Sequence, residues 1–186
     1  PHISGLYAYR NLCRFEADLD FFLRHYIPVS LQDLMDHLDG KRRLPKRCFL
    51  PTFDDGFREC HDVIAPILYA KGIPAAFFLS PPNVDNLDLC YPQKKSILIR
   101  KLNMLNRIPA IPESQAYLVP AGADLPELLM YIRRLPYRNR KMLDEWGSVL
   151  GCDFTAYAVS VRPYLSLEQI RVLLKMGFAI GAHSMD

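Results

Sequence analysis

Arg47-Cys48-Phe49-Leu50-Pro51-Thr52-Phe53-Asp54-Asp55-Gly56 decides the reading of this chain: an apolar, strand-like run over 47–51 leads directly to two adjacent carboxylates on a glycine turn. In α/β proteins the carboxyl ends of parallel strands face the ligand crevice, and barrels of alternating strands and helices build their active sites there. Neighbouring residues at a strand end point in different directions. One carboxylate can then hold a metal ion while the other takes a proton from the water on that metal. Asp-Asp-Gly is also an ordinary turn, because Asp bonds its own backbone and Gly supplies a positive φ.

A second strand end of the same kind favours chemistry. Gly177-Phe178-Ala179-Ile180-Gly181-Ala182 reads as a short buried strand that runs straight into His183-Ser184. A lone His is more often structural than a ligand. A His at a strand's end, in a chain whose other strand ends in Asp-Asp, is a candidate metal ligand.

These residues carry a family resemblance. Thr52-Phe53-Asp54-Asp55-Gly56 resembles the first motif of the polysaccharide deacetylases, the NodB-type domain of carbohydrate esterase family four. Gly181-Ala182-His183-Ser184 is similar to the start of the second, in which His, Ser or Thr and two further residues precede a second His; that His would fall one residue past Asp186. Pro45-Lys46-Arg47, Ala65-Pro66-Ile67-Leu68, Gly72 to Phe78 and Leu165 to Gly177 resemble the family in the same order, so the likeness spans roughly 11–80 and 164–186.

The resemblance implies an α/β fold, part of a distorted (β/α) barrel, and a metal-dependent deacetylase of N-acetylated, less readily O-acetylated, saccharides. It implies Asp54 as general base, Asp55 and His183 as metal ligands, and a divalent metal cofactor, zinc (Zn²⁺) ahead of other ions. The third ligand and the later motifs would lie beyond Asp186, so residues 1–186 are expected to form one incomplete domain. Two alternatives stay open: a C–N hydrolase of small amides on the same fold, and a non-catalytic saccharide-binding or scaffold relative.

Composition agrees with a globular domain and narrows the partners. The chain has 186 residues, 50% hydrophobic and 23% charged, enough for one real core. A net charge of +3 gives no argument for nucleic acid, and no run of about 18 apolar residues predicts a transmembrane segment. Five cysteines without paired spacing read as reduced thiols. They favour a cytoplasmic location, with a secreted or periplasmic one following if a signal peptide was removed.

Periodicity predicts the remaining elements. Phe15, Leu19, Phe22, Leu23 and Tyr26 form one helical stripe; Ser30 caps a second helix that ends at Gly40. A helix over 59–70, bent at Pro66, leads to a buried strand over 75–79. Residues 81–163 read as a largely helical insertion, with helices over 94–106, 125–135 and 138–150. Its basic residues, Lys94 and Lys95 among them, read as a solvated face sooner than as a surface for an anionic polymer. Trp146 reads as core, His61-Asp62 as structural, and Arg162-Pro163-Tyr164 as a turn before the capping pair Ser166 and Gln169. His2 resembles a histidine that many relatives carry in an early strand.

Overall fold

The computed structural model describes residues 2–183. Helices are Leu12–His25 (α1), Leu31–Leu38 (α2), Ala65–Ala70 (α3), Tyr91–Leu105 (α4), Leu125–Arg134 (α5), Lys141–Leu150 (α6), Phe154–Val161 (α7) and Leu167–Lys175 (α8). Strands are Ile27–Pro28 (β1), Cys48–Phe49 (β2), Thr52–Phe53 (β3), Ala76–Leu79 (β4) and Ala179–Ala182 (β5). Side chains set many of these boundaries. Asn11 accepts from the Arg14 N–H at the start of α1, and reciprocal capping boxes open α2 (Ser30 with Asp33), α5 (Asp124 with Glu127) and α8 (Ser166 with Gln169).

The chain forms two compact units, one from Arg10–Asn86 with 162–183 and the other from 2–9 with Leu87–Val161. In the first, the sheet unit, β1 pairs with β2, and β3, β4 and β5 form a second parallel sheet with β4 in the middle. The strand predicted over 47–51 is divided between these sheets. Cys48 and Phe49 pair with β1, and the chain passes to the second sheet at Pro51, which has no N–H to give a ladder but accepts from the Ala76 N–H at 3.2 Å. The architecture is therefore mixed α/β with small parallel sheets. Closing a barrel takes strands of matched tilt and stagger whose last member pairs with the first; among the described residues the five strands lie in two separate sheets and do not close into one.

The helix predicted over 59–70 is also divided. Cys60–Ile64 winds as a π-helical turn before α3, with the Ala65 N–H reaching back to the Cys60 carbonyl. Pro66 lacks the N–H that an unbroken α-helix would give to the carbonyl four residues back, and the wider turn absorbs the break. Under the sheet, Phe77 is fully buried, stacked on Phe53 at 5.3 Å and edge-on to Phe178 at 5.4 Å. Leu68, Ile73, Leu165 and Leu173 complete this core; burying each such side chain stabilises by about 1.5–3 kcal/mol.

The helical unit packs α4 against α5 and α6. Trp146, Leu98, Leu102, Leu128, Ile132 and Leu143 are fully buried there. The segment 2–9 is tied to these helices: the Gly5 N–H donates to Ser96 Oγ at 2.9 Å, and Arg133 donates to the Gly5 and Leu6 carbonyls at 2.9 and 3.2 Å. The three predicted helices occur as α4, α5 and α6. A further one, α7, is apolar on most sides, so no single stripe announces it. His2 is buried in a turn of this unit and not in a strand. Lys95 is buried too, which corrects the reading of the basic residues as one solvated face. All five cysteines are free thiols, and no helix among the described residues is long and apolar enough to cross a membrane.

Candidate active site

β3 stops at Phe53 because the chain turns sharply through the next three residues. Asp55 has φ +68° and Gly56 φ +69°, two successive left-handed residues. Asp tolerates that conformation better than most side chains. Gly56 has a second requirement, since a Cβ there would lie 2.9 Å from Leu79 Cδ2. This turn aims the two carboxylates differently: 58% of the Asp54 side chain is exposed, against 31% for Asp55.

His183 arrives from the other side of β4. Leu79 pairs with Ala182, and the His183 N–H continues the ladder by donating to the Leu79 carbonyl at 2.7 Å. Gly181, opposite Phe78, keeps β5 in place, since a Cβ would sit 2.6 Å from the Phe78 ring. With β4 between them, the backbones of β3 and β5 stand about 10 Å apart, a gap that Asp and His side chains together can span. His183 Nδ1 lies 3.6 Å from Asp55 Oδ1, and its Nε2 lies 3.8 Å from Asp54 Oδ2. Both approaches are too long for hydrogen bonds. Thus the three residues singled out in the sequence come together; Ser184, next in the second motif, lies outside the described residues.

Burial pushes the Asp55 carboxyl above its ordinary range, and the Asp54 charge adds to the rise while His183 opposes it. A cation beside Asp55 would reverse that preference. Burial, with Glu59 and Asp55 adding to it, pushes the nearby Cys60 thiol up to about 12, which keeps it protonated at neutral pH. Ser80, just past the end of β4, was not evident from the sequence. Its hydroxyl is buried with no hydrogen-bond partner among the described residues, and it shares a small packing defect with Asp55 and Gly56.

The donor set fits part of a metal site. Asp55 Oδ1 and His183 Nδ1, 3.6 Å apart, approximate one edge of a donor tetrahedron, about 3.4 Å for bonds near 2.1 Å. Asp54 faces the opposite ring nitrogen and stands outside that pair. Among the described residues no group of three or more His, Cys, Asp and Glu side chains is arranged to hold a metal ion. The His61-Asp62 pair is occupied within the fold: His61 Nδ1 is 2.8 Å from Asp62 Oδ1, and Asp62 is also met by Arg58 and Gln169.

Neither a protein-family model nor a curated protein sequence matches the chain. Among solved structures it aligns with the deacetylase domain of BpsB from Bordetella bronchiseptica at 16% identity and a TM-score of 0.37, over 95% of this chain and 85% of that one. At that score neither fold nor activity is carried across.

Proposed function

We propose that the chain belongs to a metal-dependent hydrolase that removes acetyl groups from saccharides, N-acetylated ones first and O-acetylated ones second, on a NodB-type distorted barrel. The observation that carries this reading is the meeting of Asp54, Asp55 and His183 over the end of β4, with separations of 3.6 and 3.8 Å. In this reading Asp55 and the His183 nitrogen that faces it hold a divalent cation, zinc ahead of others. Such a cation, when bound, lowers the pKa of water to about 7 and polarises the acetyl carbonyl.

Asp54 is the general base. An amide resists hydrolysis because water is a poor nucleophile, and a carboxylate beside the attacking water removes its proton as the bond forms. More than half of the Asp54 side chain is open to solvent, so it can reach that water and return the proton afterwards. Asp55 is the better ion holder, because it is the more buried carboxylate and gains most from a neighbouring positive charge. The His183 ring bridges the two roles, with one nitrogen towards Asp55 and the other towards Asp54.

Elemental analysis tests the ion, and acetate release tests the base. Wild type should carry about one divalent ion, and Asp55→Ala and His183→Ala should lose it. Asp54→Asn should keep the ion while turnover of an N-acetylated oligosaccharide falls roughly 10²–10⁴-fold. Wild-type turnover in Asp54→Asn would overturn the base assignment. An ion-free wild type, even after reconstitution, would move the reading to a non-catalytic saccharide-binding or scaffold protein.

A further inference from the structure

The sheet unit contains a cleft of about 260 Å³, lined by Arg58, Asn86, Arg162, Tyr164, Ser166 and Gln169. It lies where the chain just past the Asp-Asp-Gly turn meets the chain leading into α8. Backbone bonds fix these two segments: the Arg58 N–H donates to the Pro163 carbonyl at 2.8 Å, and the Leu165 N–H to the Gly56 carbonyl at 2.9 Å. The Phe57 and Tyr164 rings stack at 5.6 Å. Three residues of chain place the Arg58 Cα no more than about 11 Å from that of Asp55.

Most of the polar lining is already engaged. Asn86 donates to the Tyr164 carbonyl at 3.2 Å and accepts from its N–H at 2.8 Å. Ser166 and Gln169 complete the α8 capping box, and Gln169 also donates to Asp62 at 3.2 Å. Arg58 pairs with Asp62 at 3.3 Å. Arg162 differs from all of these. Its side chain is exposed at the cleft and makes no hydrogen bond or ion pair with another of the described residues. Its φ is +50°, a conformation in which glycine rests freely and an arginine is strained. Backbone strain of this kind persists where the surroundings impose it, and it collects at ligand clamps.

The charge balance narrows the ligand. Arg58 is matched by Asp62, and the Asp85 carboxylate beside the cleft accepts from the Leu167 N–H at 3.0 Å, so Arg162 is the guanidinium there without a carboxylate partner among the described residues, which suits one carboxylate better than a dianion. A planar guanidinium fork matches the two oxygens of a carboxylate. We propose that this cleft is a subsite for a carboxylate on a sugar neighbouring the one that is deacetylated, with Arg162 as its principal contact. The saccharide nature of the ligand rests on the proposed hydrolase; the anion site rests on the cleft.

Calorimetric titration of the wild-type chain compares an N-acetylglucosamine tetramer with a hyaluronan tetrasaccharide, in which N-acetylglucosamine alternates with glucuronate. The carboxylated ligand should bind about tenfold more tightly or better. Arg162→Gly suits the backbone at this φ, so it should fold with an unchanged or raised thermal midpoint and lose the preference, whereas Arg162→Lys should keep part of it. Equal affinities in wild type, no binding of either saccharide, or a preference that survives Arg162→Gly overturns the subsite. Metal content, measured in parallel, separates the two proposals. Stoichiometric metal without a carboxylate preference leaves the hydrolase and removes the subsite, and a preference through Arg162 without metal does the reverse.

Discussion

In the helical unit, Lys95 Nζ donates to the Leu135 and Arg133 carbonyls at 2.6 and 3.0 Å and lies 4.2 Å from the Tyr91 ring centroid. Lys94 sits between Asp88 and Asp144 at 3.2 and 3.0 Å. In the sheet unit, Asp54, Asp55 and His183 face one another at 3.6 and 3.8 Å, beyond hydrogen-bond reach. The difference separates two uses of charge. Lys95 satisfies carbonyls at the end of α5 that have no partner within the helix, so its burial serves the fold. Asp55 is half-buried, and burial, with the Asp54 charge adding to it, disfavours its charged form. Perturbed titratable groups cluster at functional sites as well as in structural ion-pair networks, and the contrast with Lys95 is what the proposed role of Asp55 rests on.

Lys95→Met offers the strongest way to break this comparison. It leaves one buried and one partly buried carbonyl without their donor, and we expect a loss of about 1–3 kcal/mol in chemical denaturation, the relief of burying a cation offsetting part of the lost bonds. A variant as stable as wild type would mean that Lys95 is not structural and that the two units do not differ in this way.

Gly181→Ala comes second. The added methyl meets the Phe78 ring at 2.6 Å, so either the half-buried ring must swing aside or β5 must move away from β4. We expect about 1–3 kcal/mol of destabilisation and weaker cation binding, because His183 follows two residues later. Unchanged binding in a destabilised variant would show that the position of His183 is set by something other than the β4–β5 ladder.

Asp55→Asn has the smallest effect and sharpens the comparison most. The folded carboxyl keeps its proton to higher pH than the unfolded one, whose ordinary value is 3.8. The folded state therefore binds more protons across the interval above that value, and stability falls as pH rises through it. In metal-free protein, Asp55→Asn should remove this loss, giving a slightly higher thermal midpoint at neutral pH and a flatter profile from about pH 4 upward. A lower midpoint at neutral pH would mean that the ionised carboxylate stabilises the fold, and Asp55 would then resemble Lys95.

Much of the candidate site was legible because its parts are local. Asp54-Asp55-Gly56 and His183 each announce a strand end by the side chains around them, and the capping pairs at Ser30 and Ser166 are written within four residues of chain. The division of 47–53 between two sheets was not legible, because a strand-like run looks the same whichever neighbour it pairs with. The π-helical turn was visible only as a proline that had to disturb a helix somewhere. Lys95 and Arg162 were misjudged or set aside for one reason: whether a basic side chain is buried, paired or strained depends on residues far along the chain, Arg133 and Leu135 for Lys95 and Asn86 for Arg162.

By itself, the sequence determined an alternation of helices and short strands, a helical middle and three candidate site residues, since these follow from periodicity, turn chemistry and neighbouring residues. Tertiary structure alone decided that β4 lies between β3 and β5, and hence that His183 meets both aspartates. It also decided that Asp55 is the more buried carboxylate and that Arg58 and Arg162 line one cleft. Strand order and burial are properties of neighbours in space, and packing free energy selects them from the many arrangements that one pattern of residues allows.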